Sequence, residues 1–71
     1  MLHLELTTTQ RTAAGAVITG CQTTQHTSGA ACLARARDCW HWVSRRHRVA
    51  LHAVIRDDAG RPVTRWEWRR A

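Results

Sequence analysis

Cys21, His26, Cys32, Cys39 and His41 are side chains that could ligate a metal ion, and zinc is the ion such a set would suit. Their spacing argues against it. On a continuous helix Cys32 and Cys39 stand about 10 Å apart, whereas tetrahedral zinc holds its sulfurs about 4 Å apart. Cys39 and His41 would also project to opposite sides of that helix. The same separation rules out a Cys32–Cys39 disulfide. The thiols read instead as small core residues, and neither metal nor cofactor is expected. Nucleophilic chemistry has no better footing, because no Ser or Cys sits in a Gly-flanked elbow. Gly15, Gly20, Gly29 and Gly60 are isolated, so no phosphate cradle is present. His52, Arg65 and Glu67 could form a small acid/base group, with Arg steadying a phosphate. A toxin-like ribonuclease is therefore the one enzyme reading left open, and a non-enzymatic function is the expectation.

Arginine carries more of the chemistry. The net charge is +6, and all 11 Lys-or-Arg positions are Arg. A GC-rich coding sequence, which the many alanines suggest, would account for choosing Arg over Lys. It would not account for the excess of base over acid. Guanidinium forks suit phosphate and carboxylate, so a polyanionic or acidic partner follows from the charge. Trp42 is a second lead. It falls off the apolar side of its helix, between Arg35 and Arg46, where an exposed Trp can anchor a protein interface.

Those groups must be placed by secondary structure. Arg48 to Arg70 reads as a β-hairpin, with Asp57-Asp58-Ala59-Gly60 as its turn. Asp bonds back to the turn backbone and Gly accepts a positive φ. With Arg56 opposite Arg61, the pairs on one side are Ile55/Pro62, Ala53/Thr64, Leu51/Trp66 and Val49/Trp68. The other side then holds Val54/Val63, His52/Arg65, Ala50/Glu67 and Arg48/Arg69. Arg48, His52, Arg56, Arg61, Arg65 and Arg69 share that second face, a stripe of cations that could follow a phosphate backbone. A three-residue loop with a Gly bulge would slip the register by one residue. The unslipped register sorts apolar from charged more cleanly and is the expectation.

Leu2 to Thr7 alternates as a half-buried strand. Thr8 to Ala14 reads as a turn or loop. Gly15 to Thr24 is β-branched and reads as a second strand, with Gly20 as a candidate bulge or close backbone approach. Thr27 or Ser28 would cap a helix from about Gly29 to Arg46. Its apolar arc is Cys32, Leu33, Ala36, Cys39, Trp40 and Val43, and Arg45, Arg46 and His47 would close it with positive charge. The order is β-β-α-β-β. This predicts a single α+β domain over residues 1–71, two-layered, with one helix packed on a four-stranded antiparallel sheet. The sheet's other face is left for solvent or a partner.

A chain of 71 residues buries only about 60% of its unfolded surface, so homodimerisation is an open route to more burial. No run reaches the roughly 18 apolar residues of a membrane span. Met1 to Leu6 lacks the basic start and apolar core of a signal peptide. Three cysteines, an odd number, suit a reducing cytoplasm.

From about Ser28 onward the pattern resembles small phage-encoded anti-CRISPR proteins: an Ala/Arg-rich helix, an Asp-x-x-Gly hairpin at Asp57–Gly60, and a last strand bearing Trp66 and Trp68. The resemblance covers size and order of elements, and it transfers no functional residue. It implies a cytoplasmic, non-enzymatic inhibitor in a bacterial host cell, bound to a CRISPR–Cas effector protein or ribonucleoprotein. The Arg excess departs from the acidic, DNA-mimicking members and points to acidic protein, guide RNA or DNA. A plain DNA- or RNA-binding accessory protein would use the same Arg face.

Overall fold

A computed structural model of the chain describes residues 1–46 and 48–70. His47, expected to help close the helix, lies outside the described residues. The elements are β1 (Leu2–Arg11), β2 (Val17–His26), α1 (Gly29–Val43), β3 (Val49–Arg56) and β4 (Pro62–Arg69). The four strands form one antiparallel sheet in the order β2-β1-β3-β4, so this is the small β-β-α-β-β, α+β fold that the sequence pattern predicts. Among the described residues, no helix is long and apolar enough to cross a membrane.

Period-two alternation decides which side of the sheet the helix covers. Leu4 and Leu6 of β1 lie beside Ile55 and Ala53 of β3, and all four are buried. Leu51 and Val49 continue that row. From the helix, Cys32 and Ala36 are fully buried against them. Small side chains here let the helix backbone sit close to the leucines. Ser28 caps the helix, its Oγ accepting the Ala31 N–H at 3.2 Å. β4 supplies Trp66 and Trp68, and Trp68 stacks on Trp40 with ring centroids 6.4 Å apart. Such a pair contributes about 1 kcal/mol beyond the area it buries.

The helix ends at Val43 rather than at Arg46. The Ser44 N–H still bonds the Trp40 carbonyl at 2.8 Å, and the Arg46 N–H bonds Val43 in a tighter turn. The chain must reverse here to begin β3, and Arg48 takes a left-handed φ of 52° to do so. Its carbonyl accepts the Arg11 N–H at 3.1 Å, which ties the bend to β1.

Three further expectations are corrected. Thr8 to Arg11 is strand, paired through Arg11 with Val17; β-branched threonines fit a pleated surface as well as they fit a loop. Gly20 is neither bulge nor close approach. It pairs regularly with Thr8, and a Cβ there would meet nothing within 4 Å.

The hairpin register is the third. Asp57 and Arg61 close a three-residue loop: the Asp57 N–H bonds the Arg61 carbonyl and the Gly60 N–H bonds Asp57, both at 3.0 Å. Gly60 sits at φ 81°. That loop alone would slip the register by one residue and expose the tryptophans. An irregularity between Ile55 and Arg56 undoes the damage, because Ile55 pairs with Thr64 and Arg56 with Pro62, leaving Val63 unmatched. The two steps together shift the pairing by two residues, to Leu51/Trp68, Ala53/Trp66 and His52/Glu67. An even shift keeps Thr64 to Arg69 on their expected faces, whereas Pro62, now opposite Arg56, changes face. The β1–β2 loop repeats the same design. Thr12 bonds Ala16, Gly15 bonds Thr12, and Gly15 has φ 84°. The first residue also supplies a side-chain acceptor in each loop: Thr12 Oγ1 for the Ala16 N–H, and Asp57 Oδ1 for the Arg61 N–H.

Asp58 fastens the N-terminus to this turn. Its carboxylate accepts from His3 Nε2 at 2.9 Å and from the Met1 ammonium at 3.1 Å. These bonds, that from His3 foremost, hold its carboxyl below the usual Asp range. A carboxyl with a lowered folded pKa stabilises at pH above its unfolded value, and the contribution fades as pH falls through the folded value. Wild type should therefore lose more stability than Asp58→Asn between about pH 5 and pH 3, read from urea midpoints at each pH. Equal losses would mean that the contact contributes nothing in solution.

Candidate anion-binding face

The sheet face away from the helix carries the odd-numbered residues of β1 and β2, the even-numbered residues of β3, and Arg65, Glu67 and Arg69 of β4. Arg48, His52, Arg56, Arg65 and Arg69 of the expected cation stripe lie on this face. Arg61, expected opposite Arg56, instead closes the loop opposite Asp57, and the two ends of the stripe differ.

At the β3–β4 turn the charges are already matched. Arg56 donates to the Gly60 carbonyl at 3.2 Å and pairs with Glu5 at 3.8 Å. Arg61 pairs with Asp57 at 3.2 Å. These two arginines hold the turn, and little of their charge is left for a partner.

The opposite end is different. Arg11, Arg48, Arg69 and Arg70 surround a hollow of about 550 Å³ floored by Thr9, Val17 and Ala50. The floor is low because Ala50 lies between Thr9 and Arg69 in the ladder. The acid near this end is Glu67, bonded to Arg69. The Arg70 Nη1 donates to the Ser44 carbonyl at 2.6 Å, which also neutralises part of the helix's negative C-terminal end. Among the described residues, four guanidinium groups to one carboxylate leave this end strongly positive. Arg11 was not among the residues singled out by sequence, because Thr8 to Ala14 reads as loop. The one signal for it was β-branched Thr8 and Thr9 continuing the strand toward Arg11. Arg70 follows Arg69 in sequence, but its guanidinium turns to the helix end at Ser44.

His52 lies between the two ends. The two-residue shift sets it opposite Glu67 rather than Arg65, with Nε2 3.5 Å from the carboxylate. Arg65 instead faces Val54. Both border a smaller hollow of about 290 Å³. The hydrogen bond from Arg69 is the largest influence on Glu67 and lowers its pKa. His52 and Glu67 thus form a solvent-exposed cross-strand pair whose carboxylate is shared with Arg69.

Trp42 is 60% exposed, off the apolar arc as expected, but its neighbours differ. The Arg45 guanidinium lies 4.9 Å over its ring, and His41 meets it edge-on at 6.1 Å. Arg35 reaches the other way, to Gln22 at 3.1 Å and Asp38 at 3.9 Å. Arg46 lies past the helix end, where helical spacing no longer applies. Trp42 belongs to the helix layer, on the other side of the sheet from Arg11, Arg48 and Arg69, and Arg70 reaches that layer at Ser44. Of the cysteines, Cys32 and Cys39 lie under the helix, whereas Cys21 is exposed on the open face.

No protein family, curated protein or solved structure matches this chain.

Proposed function

We propose that this protein is a stoichiometric binding module, without chemistry of its own, that docks on a polyanionic surface through Arg11, Arg48, Arg69 and Arg70. The observation that carries this reading is the clustering of four arginines around one hollow, with Glu67, bonded to Arg69, the one carboxylate beside them among the described residues. Guanidinium groups spread over a concave surface can each take a different phosphate or carboxylate oxygen. The target class favoured is a nucleic-acid-handling effector complex, which makes the protein an inhibitor of the anti-CRISPR kind, acting in the bacterial cytoplasm. Support for that class comes from chain size and the β-β-α-β-β order, with the basic end aimed at guide RNA, DNA or an acidic protein face. Direct nucleic-acid binding is the second reading, favoured by the same arginines.

The test is binding to labelled single- and double-stranded DNA and RNA at low and physiological salt, followed by capture of purified CRISPR effector complexes. Retention of an effector complex with no binding to free nucleic acid supports the inhibitor reading. Tight, salt-sensitive binding to free nucleic acid supports the second. Failure on both counts sinks the proposal, and strand cleavage during incubation would replace it with a ribonuclease. Trp42→Ala separates the two surviving readings. Exposed as it is, Trp42 should leave stability within about 1 kcal/mol when truncated. Affinity for an effector protein should fall at least about tenfold if Trp42 anchors that interface, and affinity for free nucleic acid should not change.

A further inference from the structure

The two edges of the sheet are built differently. β4 has the features that keep edge strands from pairing with other chains: Pro62, an irregularity at Val63, and charges at Arg65, Glu67 and Arg69. β2 has none of these. Its ten residues, VITGCQTTQH, contain no Pro and no Asp, Glu, Lys or Arg. Its pairing with β1 is unbroken from Val17 to His26. Val17 and Ile18, on opposite faces, are each 57% exposed.

The ladder also fixes which backbone groups face outward. The Thr12 N–H bonds the Ala16 carbonyl. Hydrogen-bonded pairs alternate along an antiparallel ladder, so those beyond it are Gln10/Ile18, Thr8/Gly20, Leu6/Gln22 and Leu4/Thr24. The N–H and C=O groups of Val17, Thr19, Cys21, Thr23 and Gln25 therefore point away from β1. These five are spaced symmetrically about Cys21.

We propose that this edge is the interface of a homodimer, in which β2 pairs antiparallel with β2 of a second copy about a twofold axis at Cys21. Thr19 then lies opposite Thr23 and Val17 opposite Gln25, and every outward backbone group of these five residues finds a partner. Paired residues share parity, so the faces continue across the axis: both helices lie on one side, and the two open faces join. On the helix side Ile18 comes beside Thr24 of the other copy. Gly20 comes opposite Gln22, and the space where a Cβ would stand is open. A neutral, self-complementary edge fits a second copy of itself, whereas a charged partner strand would find nothing on it to pair with. The dimer does not depend on the Arg hollow, so it stands or falls independently of the proposed function.

Cys21 gives the test its specificity, because a residue on the axis faces its own copy. Any charge placed there opposes itself across the pair, yet in the single chain it stands on an exposed surface. Light scattering on the full chain, from low micromolar to millimolar concentration, should approach twice the 8.1 kDa chain mass. Cys21→Lys should hold the mass at one chain, with unchanged circular dichroism and tryptophan emission. A short bis-maleimide should link two wild-type chains and fail with Cys21→Ser. If Cys21→Lys does not fold, Thr19→Pro serves instead, since it deletes only an outward N–H. A monomer at every concentration overturns the proposal. So does a dimer that survives the folded edge variant and does not cross-link through Cys21, because the copies would then meet elsewhere.

Discussion

The Arg11→Gln/Arg48→Asn double variant will bind a polyanion at least about tenfold more weakly at low salt, and it will unfold at the same temperature as wild type or a higher one. Removing one phosphate-binding side chain should flatten the log–log salt dependence by about 0.9, so removing two should flatten it by about 1.8. The substitutions are chosen for the backbone as much as for the charge. Arg11 is exposed, and the hydrogen bond joining it to Arg48 is between main-chain atoms, so its side chain can change without opening the ladder. Arg48 sits at φ 52°, a region that costs an L-residue about 1 kcal/mol and that Asn tolerates better. Weaker binding therefore cannot be attributed to unfolding. The control is Arg56→Gln/Arg61→Gln, which removes the same charge from the end already matched by Glu5 and Asp57. If that pair weakens binding as much, net charge does the binding and the hollow has no special role. A labelled oligonucleotide titrated at several salt concentrations gives both the affinity and the slope.

The fold was legible in this sequence because its apolar residues keep strict periods. Leu2, Leu4 and Leu6 alternate, as do Val49, Leu51, Ala53 and Ile55, and the helix places its small and aromatic residues on one arc. From Thr64 onward parity survived even where the hairpin pairing did not. The turn chemistry of Asp57 and Gly60 announces the loop, and the compensating irregularity at Val63 has no sequence mark beyond following Pro62. A register that depends on two cancelling one-residue steps cannot be read from either step alone.

The site was legible in part. The stripe of Arg48, Arg56, Arg65 and Arg69 was readable because face depends only on parity. Which of these arginines remain free for a partner was not, because that depends on acids brought in from elsewhere. Glu5 reaches Arg56 from a neighbouring strand, and Asp57 turns back on Arg61 within the loop. Arg11 joined the cluster only because a threonine-rich segment continued as strand. Trp42 shows the limit of helical spacing. Its exposure followed from the wheel, but its partner changed from Arg46 to Arg45 once the helix ended at Val43.

Truncating Leu51 to Ala should destabilise the protein by about 3 kcal/mol, within the roughly 2–5 kcal/mol range of buried Leu→Ala changes. For a chain of 71 residues, total stability is on the order of 4–11 kcal/mol. One side chain would then account for a quarter or more of it, and the thermal midpoint should drop by on the order of 15 °C. Leu51 is fully buried in β3, which is paired on both sides, with Thr8 and Trp68 as its cross-strand neighbours. A strand held from both sides cannot move inward to fill the gap. The helix above is also constrained, since its facing residues, Cys32 and Ala36, are too small to reach further down. Only Trp68, on the edge strand, can tilt into the space, and doing so would loosen its stack on Trp40. Tryptophan emission should consequently shift before global unfolding begins. Val63→Ala is the matched control: Val63 is 58% exposed and has no ladder partner, so its removal should change stability by about 0.5 kcal/mol or less. A Leu51→Ala cost below about 1 kcal/mol would mean that the helix does not close over β3 as described. The tryptophan cluster, rather than the leucine row, would then be what holds the two layers together.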